Sequence, residues 1–430
     1  MSGAAGVRIV KGPGEPFAAG IEVPGDKSLS HRALILSAMA AGTSSVNRLA
    51  TGRDVAATLH VIRQLGVEID EDRVISPGID GWRSPGDPLD CANSGTTMRL
   101  LAGALSGSLV PATLVGDEFL MRRPMRRLVE PLTALGASVE LSPDGTAPVT
   151  ITGRAPTHPA DVDIPMPSAQ VRSAFSLGAL RAEGESTVAS PPGFRDHTER
   201  WLEAMGLGKR EDTTTFRIYP GAVPAYRYVI SGDPSSAAFL WASAAIVAGA
   251  RVVTPNVSLN PGRLGFLEVL EAMGATVEGE VTGAVLGDPI GTVSVTGAGL
   301  RATTVSGTLS AATIDELPLV AVVASYAEGV TRVVDAGELR AKESDRIDST
   351  VSLINALGGG AQEYQDGFEV LGLGWLEGGR VDSAGDHRIA MAAAVAATAA
   401  TNPITIVGAE AAAVSWPRFY EALEALWSSR

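Results

Sequence analysis

A repeated helix ending constrains the fold of this chain more than any other feature of its sequence. An amphipathic segment that ends in Leu-Gly or Met-Gly, and then becomes strand-like, occurs five times, with its glycine at Gly66, Gly136, Gly206, Gly274 and Gly358. Successive glycines are 70, 70, 68 and 84 residues apart. Glycine directly after a helix is expected where the cap must adopt a left-handed conformation. The near-equal spacing therefore predicts a repeated structural unit.

Each of these helices follows another segment that is rich in alanine, leucine and small residues. Such segments cover residues 28–41, 95–106, 168–182, 235–248, 313–327 and 386–400. The predicted unit is strand, helix, strand, helix, strand. The last segment, Phe419 to Leu426, fits the second helix of a sixth copy that lacks a strand. We expect the N-terminal strand, at residues 7–11, to complete that copy.

The midpoint of the repeats predicts where the chain passes between domains. The turn Gly232-Asp233-Pro234 precedes a new helix and lies near the middle of the repeat count. A second crossing is expected near residues 21–25. One domain would then comprise residues 1–21 and 232–430, and an inserted domain would comprise residues 22–231.

Composition excludes several classes of protein. The formal charge of −14 and the pI near 4.9 argue against a nucleic-acid binder, which needs a basic face. They do not exclude a local basic pocket for small anions. The single cysteine, Cys91, excludes an intramolecular disulfide and a multi-cysteine metal site, and we expect a buried thiol. With no signal-peptide pattern and no apolar stretch of bilayer length, a cytoplasmic protein is expected.

Polar motifs open several of the small-residue helices. They are GDKSLSHR at 25–32, NSGTTMR at 93–99, PSAQVRS at 167–173, KESDR at 342–346 and GDHRI at 385–389, joined by Arg123, Arg195 and Asp315. Free N–H groups and the helix dipole favour anions at helix N-termini. Each motif alone also fits a surface ion pair or a simple cap, and no histidine has metal-ligand spacing. The set together predicts a site for a multiply charged anion.

These motifs, in this order, resemble those of the 5-enolpyruvylshikimate-3-phosphate synthases, from about residue 7 to the C-terminus. The resemblance implies an α/β, two-domain enolpyruvyl transferase fold, an inside-out α/β barrel with three βαβαββ repeats in each domain and the active site in the cleft between the domains. It implies transfer of the enolpyruvyl group of phosphoenolpyruvate to the 5-hydroxyl of shikimate 3-phosphate, the sixth step of the shikimate pathway to chorismate. It implies no cofactor, no metal, no membrane or nucleic acid, and a monomer.

The resemblance also assigns residues to the two substrates. For shikimate 3-phosphate they are Lys27, Ser28, Arg32, Ser168, Ala169, Gln170, Arg195, Asp315 and Lys342. For phosphoenolpyruvate they are Lys27, Asn93, Gly95, Arg123, Gln170, Glu343, Arg346, His387 and Arg388. The expected catalytic residues are Asp315, Glu343 and Lys27, with their acid and base roles left open. Glyphosate is expected to compete with phosphoenolpyruvate, because Gly95 leaves that site uncrowded.

Two positions depart from the family pattern, and two other functions remain as alternatives. Val414 stands where many members have a lysine that contacts phosphoenolpyruvate, and Ala169 stands where many have serine. The first alternative is an enolpyruvyl transferase acting on UDP-N-acetylglucosamine, whose early Lys-Asn motif and reactive loop cysteine are not matched here. The second is a non-catalytic anion-binding relative, which would not need the carboxylates Asp315 and Glu343.

Overall fold

The computed structural model describes residues 6–428, and its contacts divide the chain into two compact units. The first unit consists of Met1–Pro24, Gly232–Gly283 and Pro289–Arg430, and the second of Gly25–Ser231 and Ala284–Asp288. Each unit has its own core of buried apolar side chains. None of the helices within residues 6–428 has the length and apolar character that crossing a membrane requires.

Short strands and helices alternate along the chain. The strands are β1 Val7–Val10, β2 Ala18–Gly20, β3 Ala41–Asn47, β4 Glu68–Asp70, β5 Arg73–Pro77, β6 Leu89–Asp90, β7 Ala112–Val115, β8 Ser138–Glu140, β9 Val149–Thr152, β10 Asp161–Asp163, β11 Ser186–Ala189, β12 Gly208–Arg210, β13 Thr215–Ile218, β14 Arg227–Val229, β15 Arg251–Ser258, β16 Thr276–Val285, β17 Asp288–Thr296, β18 Thr304–Val305, β19 Gly329–Val333, β20 Gly360–Tyr364, β21 Gly367–Gly372, β22 Gly379–Asp382 and β23 Ile404–Val407. The helices are α1 Lys27–Met39, α2 Arg53–Gln64, α3 Gly95–Ser106, α4 Val129–Ala134, α5 Ala169–Ala179, α6 His197–Ala204, α7 Pro234–Ala245, α8 Gly265–Ala272, α9 Gly307–Ala312, α10 Leu317–Ser325, α11 Arg346–Ala356, α12 His387–Ala396 and α13 Phe419–Ser428. This order confirms the predicted α/β class.

Three four-stranded sheets of one design form the second unit. Their strand orders are β14-β3-β5-β4, β6-β7-β9-β8 and β10-β11-β13-β12. Each sheet pairs its first two strands in parallel and the remaining neighbours antiparallel. A parallel pair requires a helical crossover between its strands. The three sheets are thus three copies of the predicted repeat.

The first unit contains two more such sheets and one that is shorter. The strand orders are β16-β17-β15-β2, β18-β19-β21-β20 and β1-β23-β22. In the shorter sheet β1 runs antiparallel to β23, with Val7 opposite Val407, and β22 runs parallel to β23. The N-terminal strand therefore completes the sixth repeat, as the sequence predicts.

All five glycines of the repeated helix ending adopt the expected backbone conformation. Their φ angles are +94° at Gly66, +88° at Gly136, +73° at Gly206, +102° at Gly274 and +82° at Gly358. A side chain would be strained in this left-handed region, whereas glycine enters it readily. The glycine spacing was therefore a valid measure of the repeat.

The small-residue helices are buried on nearly all sides, which explains their composition. On α3 and α5, a methyl group added to Gly103 would overlap the backbone of Ala174, and one added to Gly178 would overlap the Ser106 hydroxyl. The two helices thus approach more closely than larger side chains would permit. In the first unit α7, α10 and α12 are buried in the same way.

One predicted helix boundary is wrong. The segment 313–327 was expected to form one element, but α9 ends at Ala312 and α10 begins only at Leu317. Pro318 occupies the first turn of α10, where the absence of its N–H is tolerated. Asp315 therefore lies in the connection between two helices instead of inside one.

Candidate active site

The N-terminus of α1 presents Lys27 in a fixed position. Asp26 Oδ1 accepts a hydrogen bond from the Leu29 N–H at 2.8 Å and so caps the helix. Lys27, the first helical residue, places its Nζ 2.8 Å from Asp54 Oδ2 on α2. The ammonium group is therefore held beside the helix N-terminus, where Ser28 follows it.

Arg32, one turn into α1, joins three elements. Its Nε donates to Thr198 Oγ1 at 2.7 Å, its Nη2 to Ser173 Oγ at 2.9 Å, and its Nη1 to the Ser28 carbonyl at 3.0 Å. The residue is 5% exposed. These three contacts orient the guanidinium between α1, α5 and α6.

The N-terminus of α3 lies beside two arginines. Ser94 Oγ caps the helix by accepting the Thr97 N–H at 3.2 Å, and Gly95 is its first residue. A methyl group at Gly95 would lie 2.8 Å from Arg99 Nη1 and 3.4 Å from Arg123 Nη1. The absence of a side chain at Gly95 therefore lets both guanidinium groups approach the backbone at the start of α3 closely.

Gln170 connects the start of α5 to the start of α3. Its Oε1 accepts from Arg99 Nη1 at 2.6 Å, and its Nε2 donates to Thr96 Oγ1 at 3.0 Å. Arg123 Nη2 donates to Asn93 Oδ1 at 2.7 Å. The structure therefore brings three predicted residues, Asn93, Arg123 and Gln170, to the neighbourhood of Gly95.

The remaining predicted residues of the second unit lie at two more helix starts. Ser168 caps α5 by accepting the Val171 N–H at 3.4 Å, and Ala169 is the first helical residue. Arg195 is half-buried and directly precedes the cap of α6. Since Arg32 bonds to both α5 and α6, all of these residues belong to one connected group of helix N-termini.

In the first unit, three carboxylates surround the buried guanidinium of Arg346. Its Nη2 lies 2.6 Å from Glu343 Oε2, its Nε 2.8 Å from Asp386 Oδ2, and its Nη1 3.5 Å from Asp315 Oδ1. Lys342 Nζ is 3.6 Å from the same Asp315 oxygen. Four predicted residues, from the α9–α10 connection and the segment before α11, therefore meet here, together with Asp386.

The charges of this cluster stabilise one another. Burial alone would lower the pKa of Arg346, but Asp386, Glu343 and Asp315 outweigh it and raise that pKa well above its ordinary value. Burial would raise the pKa of Asp386, yet Arg346 holds that pKa below its ordinary value. Both groups therefore remain ionised at neutral pH.

Arg388 and His387 begin α12, which Asp386 caps through the Arg388 N–H at 2.8 Å. Arg388 Nη1 lies 3.3 Å from Glu316 Oε1, and its Cζ lies 5.7 Å from the ring centroid of Phe239. Burial lowers the pKa of His387 to about 4, so its imidazole is neutral at physiological pH.

The second unit has a corresponding buried histidine. Burial lowers the pKa of His31 to about 3. Its Nδ1 lies 2.7 Å from Thr58 Oγ1, which is 2.7 Å from Thr97 Oγ1. This chain of contacts joins α1, α2 and α3, so it fixes the helix starts relative to one another.

Cys91 is not among the residues of these clusters. Cys91 is buried, as expected, and burial raises the pKa of its thiol. Within residues 6–428 there is no group of three His, Cys, Asp or Glu side chains able to hold a metal ion. Val414 ends the short 3-10 helix Ala409–Val414 and is half-buried.

Several residues of the two clusters are not among the site residues predicted from the sequence. Arg99 and Asp386 lie inside the quoted motifs and Thr198 lies three positions after Arg195, and a polar side chain within one turn of a predicted ligand is a signal that could have found them. Asp54 and Glu316 carry no comparable signal. They are recognisable only once Lys27 and Arg388 are seen beside them.

Comparison with known proteins yields one family. The model of the family described as EPSP synthase (3-phosphoshikimate 1-carboxyvinyltransferase) matches residues 12–423. A 3-phosphoshikimate 1-carboxyvinyltransferase of Herpetosiphon aurantiacus is 44% identical over 412 residues, which cover 93% of this chain and 95% of that protein. The structure of EPSP synthase from Acinetobacter baumannii aligns with a TM-score of 0.86 at 36% identity, covering 98% of both chains. The enolpyruvyl transferase NikO from Streptomyces tendae, at 16% identity and a TM-score of 0.77, covers 99% of this chain and 98% of its own and shares the fold.

Proposed function

The chain belongs to the EPSP synthase family of 3-phosphoshikimate 1-carboxyvinyltransferases, and we propose that its two clusters of charged side chains carry out that family's reaction together. The reaction moves the enolpyruvyl group of phosphoenolpyruvate to the 5-hydroxyl of shikimate 3-phosphate. The hydroxyl oxygen adds to C2 of the enol while C3 gains a proton, which gives a tetrahedral intermediate. Loss of a C3 proton then expels phosphate from C2.

The observation that carries this proposal is the contact of both Asp315 and Glu343 with the buried Arg346. Addition and elimination need one group to take the hydroxyl proton and another to give and retake the C3 proton. Two carboxylates held by one fixed guanidinium supply both groups in a defined geometry. We assign the hydroxyl proton to Asp315, the C3 proton to Glu343, and a supporting acid role at the leaving oxygen to Lys27.

We assign shikimate 3-phosphate chiefly to the cluster of the second unit. Its phosphate and carboxylate would meet Arg32 and Arg195 and the helix N-termini at Ser28 and Ser168, because arginine forks and free N–H groups suit such anions. In the first unit, Lys342 with Asp315 would hold the ring hydroxyls. The contacts of Arg32 with Thr198 and Ser173 support this assignment, since they orient its guanidinium near the starts of α5 and α6.

We assign phosphoenolpyruvate to Arg123 and Gln170 near Gly95 and to Arg346 and Arg388 of the first unit. The close approach of two guanidinium groups to the backbone at Gly95 supports this assignment. His387 is neutral and would serve as a hydrogen-bonding group, not as a cation. Val414 has no charged group to offer, so the arginines would carry the phosphate without a lysine at that position.

Phosphate release by the purified protein tests the proposal. One reaction contains phosphoenolpyruvate with shikimate 3-phosphate, and the parallel reaction replaces the latter by UDP-N-acetylglucosamine. We expect phosphate only with shikimate 3-phosphate. Release with the nucleotide sugar alone would establish the alternative transferase. Silence with both, from protein shown by circular dichroism to be folded, would establish a binding protein.

The proposal extends to inhibition and assembly. Glyphosate, in the same site as phosphoenolpyruvate, should inhibit competitively with it and not with shikimate 3-phosphate. We also propose that the protein acts as a monomer in the cytoplasm, in keeping with the acidic composition and single buried cysteine. Inhibition patterns at varied phosphoenolpyruvate and sedimentation of the active protein test these points.

A further inference from the structure

The start of α6 is held by an unusual number of partners. Asp196, the residue before the helix, lies 2.8 Å from Arg200 Nε and 2.7 Å from Arg210 Nη2. Thr198 contacts Arg32 and Ser173, each at 2.7 Å. Glu199 Oε1 lies 2.8 Å from the Nε of the buried Arg172. Because Arg195 directly precedes this turn, its backbone position is set by the same contacts.

One further partner comes from a distant part of the chain. Asp288 is 91 positions beyond His197, and its Oδ2 lies 2.9 Å from His197 Nδ1. Both side chains are almost wholly excluded from solvent, at 0% for His197 and 1% for Asp288. The neighbouring carbonyl of Gly287 accepts from Arg200 Nη1 at 3.1 Å. Asp288 Oδ1 also lies 3.9 Å from Arg200 Nε, so residues 284–288 bind the first turn of α6 through both His197 and Arg200, within the second unit.

The turn that carries Asp288 is itself specialised. Leu286 and Gly287 connect β16 to β17 and have φ angles of +49° and +78°. Two-residue turns with two positive φ angles favour Asn-Gly, and leucine is strained at the first position. The Leu286 side chain, however, packs against the core of the second unit. The packing of the strained Leu286 therefore holds the turn in place, and from this position Asp288 contacts His197.

We propose that Asp288 is a positioning residue for the phosphate of shikimate 3-phosphate. Through His197 it holds the first turn of α6, and so it sets where Arg195 stands and, through Thr198, where Arg32 stands. A buried hydrogen bond is directional, and removal of one partner leaves the other unsatisfied, so the helix start would shift when Asp288 is lost. The proposal rests on the proposed function, which makes Arg195 and Arg32 ligands of that substrate.

Steady-state kinetics of three proteins test the proposal: the wild type, Asp288→Ala and Asp288→Asn. We expect Asp288→Ala to raise KM for shikimate 3-phosphate about ten-fold, the effect of losing one good contact, with KM for phosphoenolpyruvate and kcat changed less than about two-fold. Asparagine retains an oxygen that can accept from His197, so Asp288→Asn should stay within about three-fold of the wild type. If Asp288→Ala does not fold, Asp288→Ser, whose side chain is too short to reach, replaces it.

A double-mutant cycle with Arg195 separates positioning from a general loss of stability. In an Arg195→Ala background, Asp288→Ala should raise KM for shikimate 3-phosphate less than about three-fold, because the Arg195 side chain that Asp288 positions is no longer present. An equal fold-change in both backgrounds would overturn the proposal, as would a parallel rise in KM for both substrates or a failure of Asp288→Asn to restore binding. Inactivity of the wild type, by contrast, would refute the proposed function and leave the other variants uninformative about chemistry.

Discussion

Carboxylates surround the predicted substrate arginines of the first unit, and the contacts of Arg32 and Arg123 in the second unit include neutral groups. In the second unit Arg32 donates to two hydroxyls and a carbonyl, and Arg123 donates to an amide oxygen. In the first unit Arg346 meets three carboxylates, and Arg388 meets a fourth on Glu316. A hydroxyl or amide partner orients a guanidinium, whereas a carboxylate partner is also itself held in place by the charge. We infer that the carboxylates that move protons are positioned in the first unit and that the second unit mainly binds.

The largest expected effect comes from removing a proton carrier in the first unit. Glu343→Gln preserves shape and a hydrogen bond to Arg346 but cannot exchange a proton. We expect kcat to fall about 10²–10⁴-fold, the usual contribution of a general acid or base. The Kd for shikimate 3-phosphate, measured by calorimetry, should change less than about three-fold. Loss of substrate binding together with turnover would contradict the division between binding and proton transfer.

A smaller effect is expected in the second unit, and it should fall on substrate binding instead of turnover. Arg32→Lys keeps the charge but loses the planar fork that contacts Thr198 and Ser173. KM for shikimate 3-phosphate should rise about 10–100-fold, since a charged hydrogen bond contributes about 1.5–3 kcal/mol, while kcat falls much less. The matched control is Arg217→Lys on β13, where the arginine side chain is 36% exposed, and this change should leave both constants unchanged. A fall in kcat alone for Arg32→Lys would show that this unit also takes part in the chemistry.

The contrast between the units could not be read from the sequence, although most of the fold could. The glycines that end the repeated helices and the return of β1 follow from local rules, because a left-handed cap and a missing strand each leave a mark in the chain. The motif positions of Lys27, Arg32, Arg346 and Arg388 are equally visible. What surrounds those cations depends on elements that are distant in sequence.

Particular partners show why this information is missing. Glu316 lies 72 positions before Arg388, and Asp54 lies 27 positions after Lys27. No periodicity or cap rule connects such pairs, because they meet only when two repeats have packed. The same holds for Asp288, whose turn gives no hint in the sequence that it packs with residues 25–231. Local motifs therefore predicted candidate binding residues, and tertiary packing determined which side chains surround them.

Gly95 offers a test at the proposed phosphoenolpyruvate site. In Gly95→Ala the new methyl group would lie 2.8 Å from Arg99 Nη1, so the Arg99 guanidinium must move, and it would lie in van der Waals contact with Arg123 Nη1 at 3.4 Å. We expect KM for phosphoenolpyruvate to rise about ten-fold, which corresponds to overpacking by about 1.4 kcal/mol, and inhibition by glyphosate to weaken further. KM for shikimate 3-phosphate should not change. Weakened binding of shikimate 3-phosphate instead would show that the space at Gly95 serves the other substrate.

The last comparison concerns stability, in which the two units should behave alike. Each has a buried histidine next to an arginine that we assign to a substrate, His31 beside Arg32 and His387 beside Arg388. Burial lowers the pKa of His31 to about 3 and that of His387 to about 4, whereas an unfolded histidine titrates near 6.5. Below about pH 6.5 the unfolded chain therefore binds protons that the folded chain does not bind.

The free energy of unfolding should consequently fall as the pH falls from about 6.5 toward 4, by about 1.4 kcal/mol per pH unit for each histidine. Urea unfolding between pH 6.5 and 5 measures the slope before most carboxylates titrate. His31→Asn should reduce the slope of the free energy of unfolding against pH by the contribution of one proton. The control His60→Asn, at an exposed position on α2, should leave that slope unchanged. An unchanged slope in His31→Asn would mean that His31 gains its proton in the folded state. The polar chain through Thr58 and Thr97 would then stabilise a cation, and the likeness between the two buried histidines would fail.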